Sequence, residues 1–585
     1  MHKKFNPVFI LMVLLWQAAA WAEEPEWVKK SNAIAYKILE SGAKFAPEFA
    51  GQTGVDGYDE AIFDLRDDLV KRQLQNAEDN LAMLNKELAK ATDPRVKQDI
   101  EIMIQSVKDN IEATKINDAK VLPYGNVVGL IFAGFNGLLD KQVPFERQQA
   151  ALVRLKKYNG TAKGYEPLVE LAKERLTERM GEKDLIKPYR GEVEQDIQRS
   201  TIFIDGLSQV FGQTDLSGYE ADLQLLQDQL KDYNEWVKAN ILPNTRESAV
   251  LPRELYELQL KNYGVDASPE ELMVIGQNAF MNIRFEMMAL APLVAEKMGY
   301  ETNDYREVME LLKDDQVHGD ALMEEYAAVM RALDQIIEKH ELISLPNEPA
   351  RARMATAAET AQQPAAHLDV PRLVGNTGEF PEFIVPRIEP NEDGSWPKND
   401  YAFKAMMWTL SAHEARPGHE LQFTTMLRGG VSTARALFAF NSANVEGWAL
   451  YAEAISKQYM PLEGQLYSLQ ARLLRAARIW LDPMLNLGLI TPAEAKRILM
   501  EDVGEDDLNA QTEIDRYTFR SPAQATAYYY GYEKLLQLRA KTELKLKDQF
   551  VQKDFHDFIL QQGLLPPDLL GKAVEENFIA PQLKN

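Results

Sequence analysis

No cysteine occurs in the 585 residues. The chain therefore forms no disulfide, even in an oxidising compartment, and offers no acceptor for a cysteine-linked lipid anchor. Long apolar runs are also scarce. The run near the start, Val8 to Leu15, is shorter than the ~20 residues of a membrane-spanning helix, and no later run reaches that length. Basic residues are outnumbered, with 65 Lys and Arg against 89 Asp and Glu, for a net charge of −24. That balance argues against nucleic acid or an anionic membrane as partner, since basic patches grip both. It leaves the substrate open, because a local basic pocket fits inside an acidic protein.

What is present begins with a leader. Lys3 and Lys4, the apolar run and Ala20-Trp21-Ala22 follow the charged, apolar, small-residue order of a secretory signal peptide. Residues 1–22 are expected to be cleaved after Ala22, placing the protein in the periplasm or beyond it.

Helical periodicity dominates the chain beyond the leader. Leu74, Ala77, Leu81, Leu84 and Leu88 recur at three- and four-residue steps, as do Val96, Ile100, Met103, Val107 and Ile111. Thr92-Asp93-Pro94 separates the two stripes, with Asp93 as N-cap and Pro94 at the first helical position, so residues 64–115 read as an antiparallel helical hairpin. The same period runs through 165–180, 220–241, 269–298 and 304–341. Between Ser344 and Asp400, eight prolines deny a continuous helix. Glu382-Phe383-Ile384-Val385 is the best strand candidate, and its edge could pair with an extended substrate. Helix resumes after Asp400, a candidate N-cap, and again over 462–481 and 491–503. The expectation is an all-α protein with at most a small β element near 380–388. Its organisation is expected to be a helical lobe over 23–370 and a catalytic half over 371–585.

Histidine is rare, yet two of the seven fall in His413-Glu414-Ala415-Arg416-Pro417-Gly418-His419. Ligand, base, ligand is the order of zinc peptidases, whose two histidines usually stand four apart on one helix face. A step of six would turn His419 ~240° around an unbroken helix and ~9 Å along it, out of reach of a shared metal. Pro417 resolves the conflict. Its ring clashes with the carbonyl four residues back, that of His413, and its missing N–H breaks the ladder. Gly418 is then free to take a positive φ and bend His419 back. A plain helix end carrying two exposed histidines is the competing reading.

Glu446, one loop and helix beyond, is the candidate third ligand, and Gly447 beside it permits close backbone approach. Glu453, seven residues on, either orients a histidine or is a solvated carboxylate. Together the motif HEARPGHELQ, the segment EGWALYAE, the stretch Ser521 to Tyr528 before Gly531, and Phe555-His556-Asp557-Phe558 resemble the bacterial domain-of-unknown-function family numbered 885. That family is placed among the gluzincin-like zinc metallopeptidases, and the resemblance is concentrated from about Phe380 to the C-terminus. It implies Zn2+ on His413, His419 and Glu446 with Glu414 as base, and draws attention to Gln524, Tyr528 and His556. The chain departs from many relatives at Glu420, where they carry a histidine, and at Ala523, where they carry glycine. The first departure puts a catalytic role for Glu420 in doubt; the second bears on a local turn.

The expected reaction is hydrolysis of short, unstructured peptides, with Glu414 moving the proton and Tyr528 donating to the oxyanion. Tyr528 and its neighbours Tyr529, Tyr530 and Tyr532 also suit an aromatic core. His556 either helps in the site or is buried against Asp557 or backbone. Among Arg416, Arg516, Arg520 and Lys534, Arg520 is the candidate clamp for a substrate carboxylate, with Gln524 beside it. Two other readings stay open: a zinc amidase or esterase on non-peptide bonds, and a peptide-binding protein with a retained metal.

Overall fold

Thr92-Asp93-Pro94 ends one helix and starts the next. In the computed structural model, which describes residues 25–584 apart from 357, 358, 361, 362, 364 and 377, these helices are Leu69–Lys90 and Pro94–Lys120. The expected signal peptide, residues 1–22, lies outside the described residues. Asp93 accepts from the Arg95 N–H at 2.9 Å, capping the second helix as its sequence requires. The hairpin starts later than residue 64, because the Asp64 carboxylate folds back onto Arg66 and Arg72. Ala77, Leu84, Ile100 and Met103 close its core. Asp99 is fully buried in it and accepts from Ser31 (2.6 Å) and from Arg435 (3.0 Å), tying the hairpin to the distant C-terminal half.

Residues between Val128 and Ile241 build a core of their own. Helix Pro269–Met298 opens on a Ser268/Glu271 capping box, stops at Gly299 with φ 75°, and lies along helix Leu462–Asn486 in the largest core. The helical stretch expected over 304–341 divides into Tyr305–Leu312 and Ala321–Lys339. Gly319 takes φ 60° in the break, and the Val317 N–H donates to the Ala402 carbonyl at 2.6 Å, fixing the break to the entry of the motif helix.

The proline-rich segment holds three short strands, β1 (Ala352–Met354), β2 (His367–Asp369) and β3 (Glu382–Val385). β3 falls inside the expected 380–388, but it is the central strand, parallel to β1 and antiparallel to β2. Both its edges are taken, so Phe383–Val385 has no free edge for a substrate. Phe383 and Val385 instead pack with Met407, Ala412 and Ala415 of the motif segment. Among the described residues the fold is all-α with this one small sheet.

Candidate metal centre

The motif helix, Lys404–Glu414, is not capped by Asp400, whose carboxylate pairs with Lys313 (3.0 Å) and accepts from Asn509 (2.8 Å); Phe403 holds the N-cap position. The helix stops at Glu414, the Arg416–Pro417 peptide is cis, and a second helix starts at His419 and runs to Gly429. Gly418 does not adopt the positive φ expected of it; its φ is −78°. Glycine is required there for space, because a Cβ would lie 1.9 Å from the His413 carbonyl oxygen. The turn is held from outside by the Trp448 indole, which donates to the Pro417 carbonyl at 3.0 Å.

The bend brings the two imidazoles to 4.8 Å between centroids, at 84° to each other. Glu446 reaches them from helix Ser442–Lys457, its Oε2 3.5 Å from His413 Nε2 and 3.4 Å from His419 Nε2. One donor atom from each residue lies within 4.8 Å of the others. Zinc bonds of ~2.0–2.2 Å in a tetrahedral set separate donors by about 3.3–3.6 Å, so these residues fit that ion. Two more observations support the fit. Glu446 Oε2 is buried with no hydrogen-bond partner among the described residues. Glu453, 1% exposed, accepts from His413 Nδ1 at 2.7 Å and from Thr409 at 2.6 Å, which turns the His413 Nε2 lone pair toward Glu446 and His419. Glu453 is thus a buried partner of His413 and not a solvated carboxylate. Burial disfavours a charged His413, yet Glu446 and Glu453 raise its pKa to about 9. The same two imidazoles hold Glu446 well below the carboxylate range against the pull of burial.

Glu414 is buried at the last position of the motif helix, next to His413. Tyr528, on helix Thr526–Leu546, stacks toward His413 with ring centroids 6.4 Å apart, and its hydroxyl accepts from Arg516 at 2.9 Å. Burial raises the phenol's pKa, Arg516 opposing and Glu446 adding to the rise, so Tyr528 keeps its proton. Two glycines make this proximity possible. A Cβ on Gly447 would sit 2.5 Å from the Gly531 carbonyl carbon, and one on Gly531 would sit 1.8 Å from the Ala443 carbonyl oxygen.

Other candidates are placed elsewhere. Arg520 donates to Gln195 at 2.8 Å and lies 3.7 Å from Asp515, away from the three donors. Gln524 accepts from Arg516 at 3.0 Å and donates to Ser442 at 3.0 Å, so it holds Arg516 in place. Glu420 is bound by Arg416 (2.6 Å) and Thr424 (2.9 Å). Lys534 sits by Asp266 at 3.5 Å. His556 is fully buried, bonded to the Leu342 carbonyl (2.7 Å) and Tyr451 (2.8 Å), and burial lowers its pKa to about 4; Asp557 caps Ser344. Its ring stands edge-on to Trp448, which links it to the Pro417 turn. Ala523 takes φ 73°, so the departure from glycine falls on a backbone conformation that favours glycine.

Arg478 and Glu513 are additions that motif reading passes over. Arg478 Nε and Nη2 donate to the two oxygens of Glu513 at 2.8 and 2.7 Å, and its guanidinium lies 4.7 Å from the Tyr528 ring. The one signal in the sequence is Arg472, Arg475 and Arg478 at three-residue steps within helix Leu462–Asn486.

Comparison with known proteins agrees with this architecture. A "putative lipoprotein of unknown function" from Shewanella oneidensis superposes with TM-score 0.75 at 18% identity, over 93% of this chain and 99% of its own. A "putative lipoprotein" from Colwellia psychrerythraea does so with TM-score 0.75 at 17% identity, over 94% and 98%. At that identity the likeness is one of fold. No curated protein matches the chain. The family described as "Bacterial protein of unknown function (DUF885)" matches residues 47–574, and the chain belongs to that family.

Proposed function

We propose that the protein is a gluzincin-like zinc peptidase acting on short, unstructured peptides outside the cytoplasm. The observation that carries this reading is the convergence of His413, His419 and Glu446, with Glu453 orienting His413 from behind. A folded protein would not reach donors this deeply buried, with His413 3% and His419 7% exposed. The location is supported by the leader-like order of residues 1–22 and by neighbours described as lipoproteins, although this chain has no cysteine to acylate.

Zinc held by His413, His419 and Glu446 would supply a Lewis acid with an open position, where the pKa of a water falls to about 7. Glu414 takes a proton from the attacking water and returns it to the leaving amine. Tyr528, its oxygen engaged by Arg516, has its O–H free to donate to the carbonyl oxygen as charge develops there. Glu453 keeps the His413 proton on Nδ1.

Glu414→Gln tests the proposal. The variant should bind zinc stoichiometrically by elemental analysis, since Glu414 is not a ligand, and lose peptidase activity by a hundredfold or more. A wild-type protein that takes up no zinc, or a variant of undiminished activity, would refute it. A zinc-loaded protein that cuts small amides or esters but no member of a peptide pool would be an amidase or esterase.

A further inference from the structure

The wall beside Tyr528 holds three arginines, two of which keep a guanidinium N–H with no acceptor among the described residues. The guanidinium carbons of Arg475, Arg478 and Arg516 lie 5.8, 4.7 and 5.2 Å from the Tyr528 ring centroid. Glu513 answers two of them, bidentate to Arg478 and 3.6 Å from Arg516. Arg475 donates to the Ala471 carbonyl of its own helix at 3.2 Å and faces the charge of Glu453, as Arg516 faces that of Asp482. Arg478, its side chain 8% exposed, leaves Nη1 buried without a partner, and Arg475 leaves Nε so. A buried donor on a charged group that finds no acceptor costs more than a typical net hydrogen bond contributes, so a fold retains it where a ligand completes it.

Its position defines the ligand. The Tyr528 ring stands between this cluster and His413, 6.4 Å from the imidazole and 4.7 Å from the Arg478 guanidinium. Those two steps together span about three extended residues at most, at ~3.5 Å each. The Arg478 fork is taken by Glu513, and its remaining Nη1–H is the donor left for a further carboxylate oxygen. A peptide has one carboxylate at a fixed short distance from its last carbonyls, its C-terminus. An N-terminal ammonium offers these donors no acceptor, and a bond cut far from either end would leave them unmatched.

We propose that Arg478 and Arg516 bind the free α-carboxylate of the substrate, so that the protein removes one or two residues at a time from the C-terminal end. This rests on the zinc-peptidase reading and names its substrate class.

The test uses the zinc-loaded full chain and N-acetylated peptides of one sequence in three forms: free acid, C-terminal amide, and amide with glutamate as the last residue. Products are read by mass spectrometry. The free acid should lose one or two C-terminal residues, and the plain amide should be cut tenfold to a hundredfold more slowly, the worth of a charge-assisted hydrogen bond. Arg478→Lys should narrow that ratio, acting through KM. Equal rates on acid and amide would overturn the assignment while leaving the peptidase reading intact. So would a glutamate amide cut as fast as the free acid, which would make a side chain the ligand. If no form is cut, the peptidase reading falls, and calorimetry decides the clamp separately. Glu414→Gln should bind an acetyl-dipeptide at least tenfold tighter than its amide, and equal affinities would sink the clamp.

Discussion

At the scale of single residues, Glu453 is the side chain that fixes a candidate ligand in orientation. A fully buried carboxylate costs several kcal/mol unless its lone pairs are matched, and here both oxygens are, by His413 and Thr409. Glu453→Gln keeps the shape and removes the charge that favours the Nδ1–H tautomer. Zinc affinity, measured by competition with a chromophoric chelator, should fall tenfold to a hundredfold, and an unchanged affinity would reduce Glu453 to packing. Ala523 gives a prediction of opposite sign. It holds φ 73° while its N–H donates to Asp482 at 3.0 Å. Ala523→Gly keeps that bond and relieves a conformation costing an L-residue roughly 1–2 kcal/mol, offset in part by the freer unfolded glycine. A net gain of about 0.5–1 kcal/mol in urea unfolding is expected, and a loss would mean that the Ala523 methyl packs better than its backbone strain costs.

At the scale of elements, the site depends on how closely helices Ser442–Lys457 and Thr526–Leu546 approach. Gly447→Ala should cost about 1–3 kcal/mol by overpacking and weaken zinc binding, because the carbon it adds pushes Glu446 from the histidines. Melting temperature and zinc affinity matching wild type would show that the helices separate freely. Much at this scale is legible in the sequence, because the signals are local. Asp93-Pro94 and Ser268 through Glu271 mark helix starts by satisfying N–H groups within three residues, and the structure starts helices at Pro94 and Pro269. Glu382–Val385 is legible as an apolar run, but β1 and β2 are three residues each, too short to show a period, so the central place of β3 is not. In the site, His413, His419 and Glu446 are legible because rare residue types stand at telling spacings. Arg478 is not, since an arginine in sequence reads as solvated until the fold shows what surrounds it. Arg520 attracts attention for the reverse reason: it is near the motif in sequence, and the fold pairs it with Gln195 and Asp515.

At the scale of the whole molecule, stability is governed by how 89 acidic groups are accommodated. Some are held ionised. Burial works against Glu513, yet Arg478 and Arg516 keep its pKa at about 2, and Arg353 with Thr356 does the same for Glu359. For these the folded pKa lies below the unfolded value, so their stabilisation is present above about pH 4.5 and lost as pH falls toward 2. Others are held protonated. Burial and Asp400 raise Glu505 to about 7, and burial and Asp196 raise Glu192 to about 7, from 4.5. Here the folded chain binds the proton more tightly than the unfolded one, so stability falls as pH rises from about 4.5 to 7 and is level above. Net negative charge, which also grows across that window, acts in the same direction. The protein should therefore melt at a higher temperature at pH 5.5 than at pH 8, with a chelator present so that metal loading does not contribute. Glu505→Gln keeps the oxygen that accepts from Gln470 at 2.8 Å and removes the titration. It should raise stability at pH 8 by on the order of 1–3 kcal/mol and leave pH 5 nearly unchanged, flattening the profile. A variant profile parallel to that of wild type would show that Glu505 is ionised in the folded chain at pH 5.5, with Lys313 and Gln470 outweighing burial and Asp400.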